Sequence, residues 1–225
     1  MEGVLEEYAH VRADSWLRID NPVPREFFAV AGRAEAGRIL YAGSITEIKD
    51  LLTLLRAVER LVPLYPGVRL RLAGRATSDA YERQVRQAAQ DLPVRFVGAT
   101  PRAQMPLLYR AADIFVCPST YQEPLGMVNV EAQACGTPVI ASAVGGISDV
   151  VEHEVNGLLV PPGDVQALAG ALLRLIHDRS LRTRLGSAAR ESSARLDWRL
   201  LAARLDEIYD RALHGASQVQ LQAVR

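Results

Sequence analysis

Residues 113–142 read DIFVCPSTYQEPLGMVNVEAQACGTPVIAS, and the fold is decided by how this stretch divides. DIFVCPS is a short apolar run and PVIAS another, both without clean polar alternation, as expected of strands covered on both faces. Between them GMVNVEAQACG has helical length and spacing, with Gly136 ending the helix and Thr137-Pro138 starting the next strand. A strand, a helix and a second strand in so few residues predict a parallel crossover.

The same rhythm extends outward. Upstream, RILYAG from Arg38, KDLLTLLRAVERLVPLY, VRLRLAG, SDAYERQVRQAAQ, VRFVG and MPLLYRAA alternate β-branched runs with amphipathic stretches, and Gly43, Gly74 and Gly98 each close a strand. Downstream, AVGGISDVVEHEVNGLLVPPGD is loop-rich with a short strand at LLV, and DVQALAGALLRLIHD is a helix capped by Asp164. Two more helical segments follow, SLRTRLGSAARESSARL and DWRLLAARLDEIYDRALH, then the patternless GASQVQLQAVR. The expected fold class is α/β, a Rossmann-like doubly wound parallel sheet with helices on both faces. Residues 1–37 fit the rhythm poorly. EEYAHVRADS reads as one short helix and WLRIDNPVPREFF as a strand-to-linker passage, so the expected division is a linker over 1–37, the domain over 38–196, and a terminal helix and tail over 197–225.

Composition narrows the function classes. The 225 residues are 49% hydrophobic, enough for a real core, and the 26 basic residues equal the 26 acidic ones, so no global field favours nucleic acid or an anionic membrane. No apolar run reaches membrane-spanning length and the first residues are acidic, so a soluble, cytoplasmic protein is expected. Cys117 and Cys135 lie in apolar surroundings and read as two buried thiols. Among the 26 basic residues only Lys49 is a lysine, which singles out a compact ammonium where a guanidinium fork serves less well.

In a doubly wound sheet, ligands bind beyond the carboxyl ends of the strands. Three loops stand there. Residues 43–50, GSITEIKD, run from Gly43 and Ser44 to Lys49 at the start of a helix, a natural phosphate site. Residues 119–131 hold Glu123 in a turn shaped by Pro124 and Gly126, free amides at Gly126, Met127 and Val128, and Glu131 slightly more than one turn into the helix. Two ionised carboxylates suit a ligand rich in hydroxyls, because each accepts several hydrogen bonds from diols; a surface role for Glu131 and a loop charge at Glu123 are the plain alternatives. The third loop, residues 143–149, brings Gly145 and Gly146, expected to let backbone approach a ligand. There is no dinucleotide fingerprint, no P-loop, no zinc-spaced Cys/His set and no D-x-D pair. His10, His153, His177 and His214 are scattered.

Taken together, these motifs resemble the carboxyl-terminal domain of the GT-B-fold retaining glycosyltransferases of the family 4 type, over about Arg38 to Leu213. The most specific element is residues 123–131, EPLGMVNVE, which matches that family's E-x7-E signature and is followed by AQACGTPVIASAVGG and NGLLVPPGD in the usual order. The resemblance implies transfer of a sugar from a nucleoside diphosphate sugar, a UDP-sugar above others, with retention and without a tightly bound metal or other cofactor. It puts Glu123 beside the transferred sugar, Lys49 on the diphosphate, the amides of Gly126, Met127 and Val128 on sugar hydroxyls or phosphates, Glu131 on the ribose, and Phe96, Val97 and Gly98 around the base.

Two departures stand out. Where the family commonly has an arginine after the glycine of the first strand, this chain has Ser44, with Arg75 as a candidate substitute. An amino-terminal domain to hold the acceptor is also expected as a missing partner, because only 37 residues precede the donor domain. The isolated chain is therefore expected to be inactive and to expose an apolar patch at Leu200, Leu201 and Tyr209. A nucleotide-sugar-binding module without catalysis, and a GT-B-fold epimerase or phosphorylase, are the competing readings.

Overall fold

The structure, a computed structural model, describes residues 19–213. Its centre is a six-stranded, wholly parallel sheet of order β3-β2-β1-β4-β5-β6. The strands are β1 (Arg38–Ala42), β2 (Arg69–Ala73), β3 (Val94–Gly98), β4 (Ile114–Cys117), β5 (Val139–Ser142) and β6 (Gly157–Val160). The helices are α1 (Arg25–Ala29), α2 (Leu51–Leu61), α3 (Asp79–Ala88), α4 (Met105–Ala111), α5 (Met127–Ala134), α6 (Val165–His177), α7 (Arg179–Ser193) and α8 (Trp198–Leu213). The rhythm read from the sequence is thus realised, including the short strand at LLV.

Period-two geometry sorts the strand residues onto two faces. Ile39, Tyr41, Leu70, Leu72, Ile114, Val116 and Ile140 enter one core with α2, α3 and α6, whereas Leu40, Ala42, Phe115, Cys117, Val139 and Ala141 enter the other with α5. Both faces are covered, which is why these strands read as unbroken apolar runs. In α2, Leu51, Leu54, Leu55, Val58 and Leu61 are buried, the spacing of one helical face. Ser78, Asp164 and Asp178 cap α3, α6 and α7 by accepting from the backbone amides of Tyr81, Ala167 and Leu181. Both cysteines are free and buried, and burial pushes their thiols up, to about 11 for Cys117 and about 12 for Cys135.

The passage expected to be strand and linker behaves differently. REFFA forms α1, and Val23 and Phe27 are fully buried in the α5-side core. Phe27 packs on Tyr109, which in turn stacks edge-on against Phe115. Val23 donates its amide to Leu196 O at 2.8 Å and pairs with Asp197, tying this segment to the start of α8. Pro24 sits directly before α1, where its fixed φ favours helix entry, so the proline that reads as a breaker acts as a starter.

One expectation about the surface is corrected. Leu200 and Tyr209 are 59% and 63% exposed, but Leu201 is only 8% exposed and belongs to the α5-side core. Consecutive helix residues point about 100° apart, so Leu200 and Leu201 cannot share one outward face. The segments 1–18 and 214–225, including the helix read at EEYAHVRADS, lie outside the described residues.

Candidate functional site

The strand order reverses between β1 and β4, the place where sheets of this class form a ligand crevice outside the carboxyl ends of their strands. Lys49 leaves β1 on a short 3-10 turn, Glu47–Lys49, and Glu123 stands on the loop after β4. The Lys49 ammonium donates to Glu123 Oε1, with both side chains mostly buried. Ser119, fully buried, has its hydroxyl 2.9 Å from Glu123 Oε1 and 3.1 Å from Ile48 O. One hydroxyl proton serves one of these acceptors at a time, and the ionised carboxylate is the stronger. Thr120 N donates to Ile48 O at 2.9 Å, so the two loops are also stitched by backbone.

Of the helix ends near this crevice, that of α2 is already occupied. Asp50 accepts from Thr53 N at 3.3 Å, and Tyr81 accepts from Leu51 N at 3.1 Å. An anion is therefore not offered the start of α2, as the position of Lys49 in the sequence suggested; Asp50 places a negative charge there. The start of α5 is different: Gly126 is its N-cap in left-handed conformation, φ 70°, and no side chain caps it. Met127 and Val128, partly exposed, form the first turn, a natural anion or hydroxyl site.

The open sides of Gly145 and Gly146 are turned to the protein's own Glu123 loop. A Cβ on Gly145 would collide with the backbone of Glu123, and one on Gly146 with Pro124 O; Gly146 N donates to Glu123 O at 2.6 Å. Their lack of side chains lets the loop after β5 brace the Glu123 loop. Gly74 plays the same part nearer β1, where any Cβ would strike Gly43 O. Gly43 N donates to Ala73 O, Ile45 N to Arg75 O and Gly74 N to Gly98 O, so the ends of β1, β2 and β3 are bound into one rim.

Of the remaining expected residues, all but Glu131 lie along that rim. Ser44 is exposed, and its carbonyl accepts from Tyr41 Oη at 2.5 Å. Arg75 is exposed at the end of β2. Phe96 packs toward the α3 side under the Arg86 guanidinium, 4.3 Å from the ring centroid, Val97 packs toward the opposite core, and Gly98 has open space where a Cβ would stand. Glu131 is buried on α5, where Tyr109 Oη donates to Oε2 at 3.0 Å and Arg102 Nη2 lies 3.3 Å from Oε1. Burial pushes its carboxyl upward, opposed by the Tyr109 hydrogen bond and by Arg102.

Ser119, Tyr109 and Arg102 carry no signal of this role in the sequence. Tyr109 reads as one more core residue of an amphipathic helix, and Arg102 as one arginine among many. Asn129 is a further surprise: fully buried in the first turn of α5, its carboxamide has no hydrogen-bond partner.

Residues 24–192 match the family model described as glycosyl transferases group 1. The chain belongs to the group 1 glycosyl transferases. It is 38% identical over 190 residues to a D-inositol 3-phosphate glycosyltransferase of Saccharomonospora viridis, covering 80% of this chain and 44% of that protein. Among solved structures, the Anabaena HepE protein in complex with UDP and glucose superposes with a TM-score of 0.71 at 31% identity, over 78% of this chain and 48% of that one. The C-terminal domain of a group 1 protein, LpcC of Francisella tularensis, superposes at 0.63 and 28% identity, over 72% of this chain and 86% of that one. The fold is that of the carboxyl-terminal half of GT-B glycosyltransferases, and the chain spans about half the length of the curated relatives it matches. Among its described residues no helix is long and apolar enough to cross a membrane.

Proposed function

We propose that this group 1 chain is the donor-binding domain of a retaining glycosyltransferase, taking a nucleoside diphosphate sugar, a UDP-sugar above others, and passing the sugar to an acceptor held by a second, amino-terminal domain. The observation that carries this reading is the Lys49–Glu123 pair at the switch point, next to the uncapped start of α5. The preference for uridine is supported by the 31% identical HepE protein, whose complex holds UDP and glucose.

In this reading the diphosphate lies between Lys49 and the amides of Gly126, Met127 and Val128. The base rests on the end of β3 at Phe96, Val97 and Gly98, and the ribose meets Glu131. The sugar lies beside Glu123, which accepts from its hydroxyls. Transfer breaks the bond between the anomeric carbon and the phosphate oxygen, leaving negative charge on the diphosphate and positive character on the sugar ring. Lys49 and the amide cluster stabilise the first, and ionised Glu123 favours the second. The acceptor hydroxyl bonds to the anomeric carbon from the face the phosphate leaves, and its proton passes to the departing phosphate oxygen. Side-chain and backbone donors carry the diphosphate charge, and a tightly bound metal has no part. Ser44 removes one cation that the family commonly supplies, and exposed Arg75 at the adjoining strand end is the candidate substitute.

Calorimetric titration with UDP, GDP and ADP, repeated on Lys49→Ala and Glu131→Ala, tests the reading. Selective binding of UDP that both substitutions weaken supports it. A folded chain that binds no nucleotide counts against it. The missing cation at Ser44 favours one second reading, a nucleotide-sugar-binding module without turnover, which would bind UDP yet transfer no sugar when joined to its acceptor domain.

A further inference from the structure

The turn Arg102–Gln104, just beyond the end of β3, reaches across to α5 through one side chain. Arg102 is 62% exposed along its side chain, with its guanidinium carbon 5.6 Å from the Phe27 ring centroid and Nη2 3.3 Å from Glu131 Oε1. Glu131 is only 7% exposed. The groups facing its carboxylate are Tyr109 from α4, Arg102 from the turn and, directly after α5, the buried Cys135 thiol, itself near Arg110 and Arg190. Among the described residues, the one cation in salt-bridge contact with Glu131 is Arg102.

We propose that Arg102 is a positioning residue of the nucleotide site: it holds Glu131 ionised and fixed between the loop after β3 and α5, ready to accept both hydroxyls of a ribose. This rests on the reading that Glu131 meets the ribose. A buried carboxylate without a counter-charge takes up a proton, and as a neutral acid it loses acceptor capacity for a diol. Tyr109 donates one hydrogen bond but brings no charge, so it fixes Oε2 without replacing Arg102. The pair also joins the elements on which base and ribose are placed, so one contact sets their spacing.

The test is a carbon-13 NMR titration of the glutamate carboxyls in the free chain, with the Glu131 signal assigned by its loss in E131Q, comparing wild type with R102M and R102K. Circular dichroism confirms folding, which an exposed arginine should not control. The Glu131 midpoint rises in R102M and returns toward wild type in R102K. UDP affinity of R102M falls on acidification below that midpoint, by ~tenfold for each pH unit over which Glu131 stays protonated, while wild type holds its affinity over the same range. An unchanged midpoint in R102M overturns the inference. A shifted midpoint with UDP affinity equal to wild type at every pH overturns the positioning role. A shifted midpoint in a chain that binds no UDP even as wild type overturns the nucleotide reading and leaves only the Arg102–Glu131 coupling.

Discussion

Lys49 and Glu123, 74 residues apart in sequence, are joined by a direct ion pair across the crevice between the loops that leave β1 and β4. Each ion satisfies the other, so in the proposed reading a diphosphate competes with Glu123 for the ammonium.

From this competition follows an asymmetry between two substitutions. Lys49→Met removes a charge-assisted bond worth about 1.5–3 kcal/mol, so UDP affinity should drop roughly ten- to a hundredfold. Glu123→Gln frees the ammonium and should strengthen binding of UDP itself, while abolishing transfer from a UDP-sugar. Calorimetry on the two variants decides; weaker UDP binding by Glu123→Gln would mean that the pair does not hold Lys49 back.

Ser44→Arg should raise UDP affinity by about tenfold, the effect of one added charged hydrogen bond at the lower end of its range. The substitution is sterically free, because Ser44 is exposed and its structural contact is made by the carbonyl, which every residue has. Unchanged affinity would show that the rim already meets the diphosphate charge in full.

Gly146→Ala should distort the Glu123 loop, since the new methyl group meets Pro124 O with backbone on both sides. Overpacking of this kind costs about 1–3 kcal/mol. Urea unfolding should register that loss together with weakened UDP binding, whereas Gly170→Ala, with open space on the surface helix α6, should leave both unchanged or raise stability.

Phe27→Ala should cost about 3–5 kcal/mol, the usual penalty for emptying a buried aromatic site. Its ring is fully buried against Tyr109, whose hydroxyl holds Glu131. Denaturant unfolding measures the loss, and a cost near zero would show that the segment before β1 is not part of this core.

Stability should also depend on pH through Glu131. Its carboxyl is raised by burial above the ordinary glutamate range, so the folded chain binds more protons than the unfolded chain between the unfolded and folded values. Wild type therefore loses stability relative to Glu131→Gln as pH rises through that window, and the difference is constant above it. Chemical denaturation of both proteins from pH 4 upward (about the unperturbed glutamate value) should show wild-type stability falling relative to that of Glu131→Gln; a rise relative to the variant would reverse the sign of the shift.

The sequence by itself determined the succession of strands and helices along the chain and the two-sided cover of the sheet. These depend on local periodicity and on glycine and capping residues, which act within a few positions. DIFVC and PVIAS had to be buried strands because they have no polar face, and Asp164 could cap α6 from three residues away. Tertiary structure alone decided which partners the functional side chains take. Nothing near Lys49 announces Glu123, nothing near Glu131 announces Tyr109 and Arg102, and Gly145 and Gly146 look alike whether they admit a ligand or the protein's own Glu123 loop. The same holds for Phe27, a core residue placed where two prolines suggest a linker. Such contacts join elements that only the 3-2-1-4-5-6 order brings together, and that order arises from packing of the whole sheet rather than from any one stretch of chain.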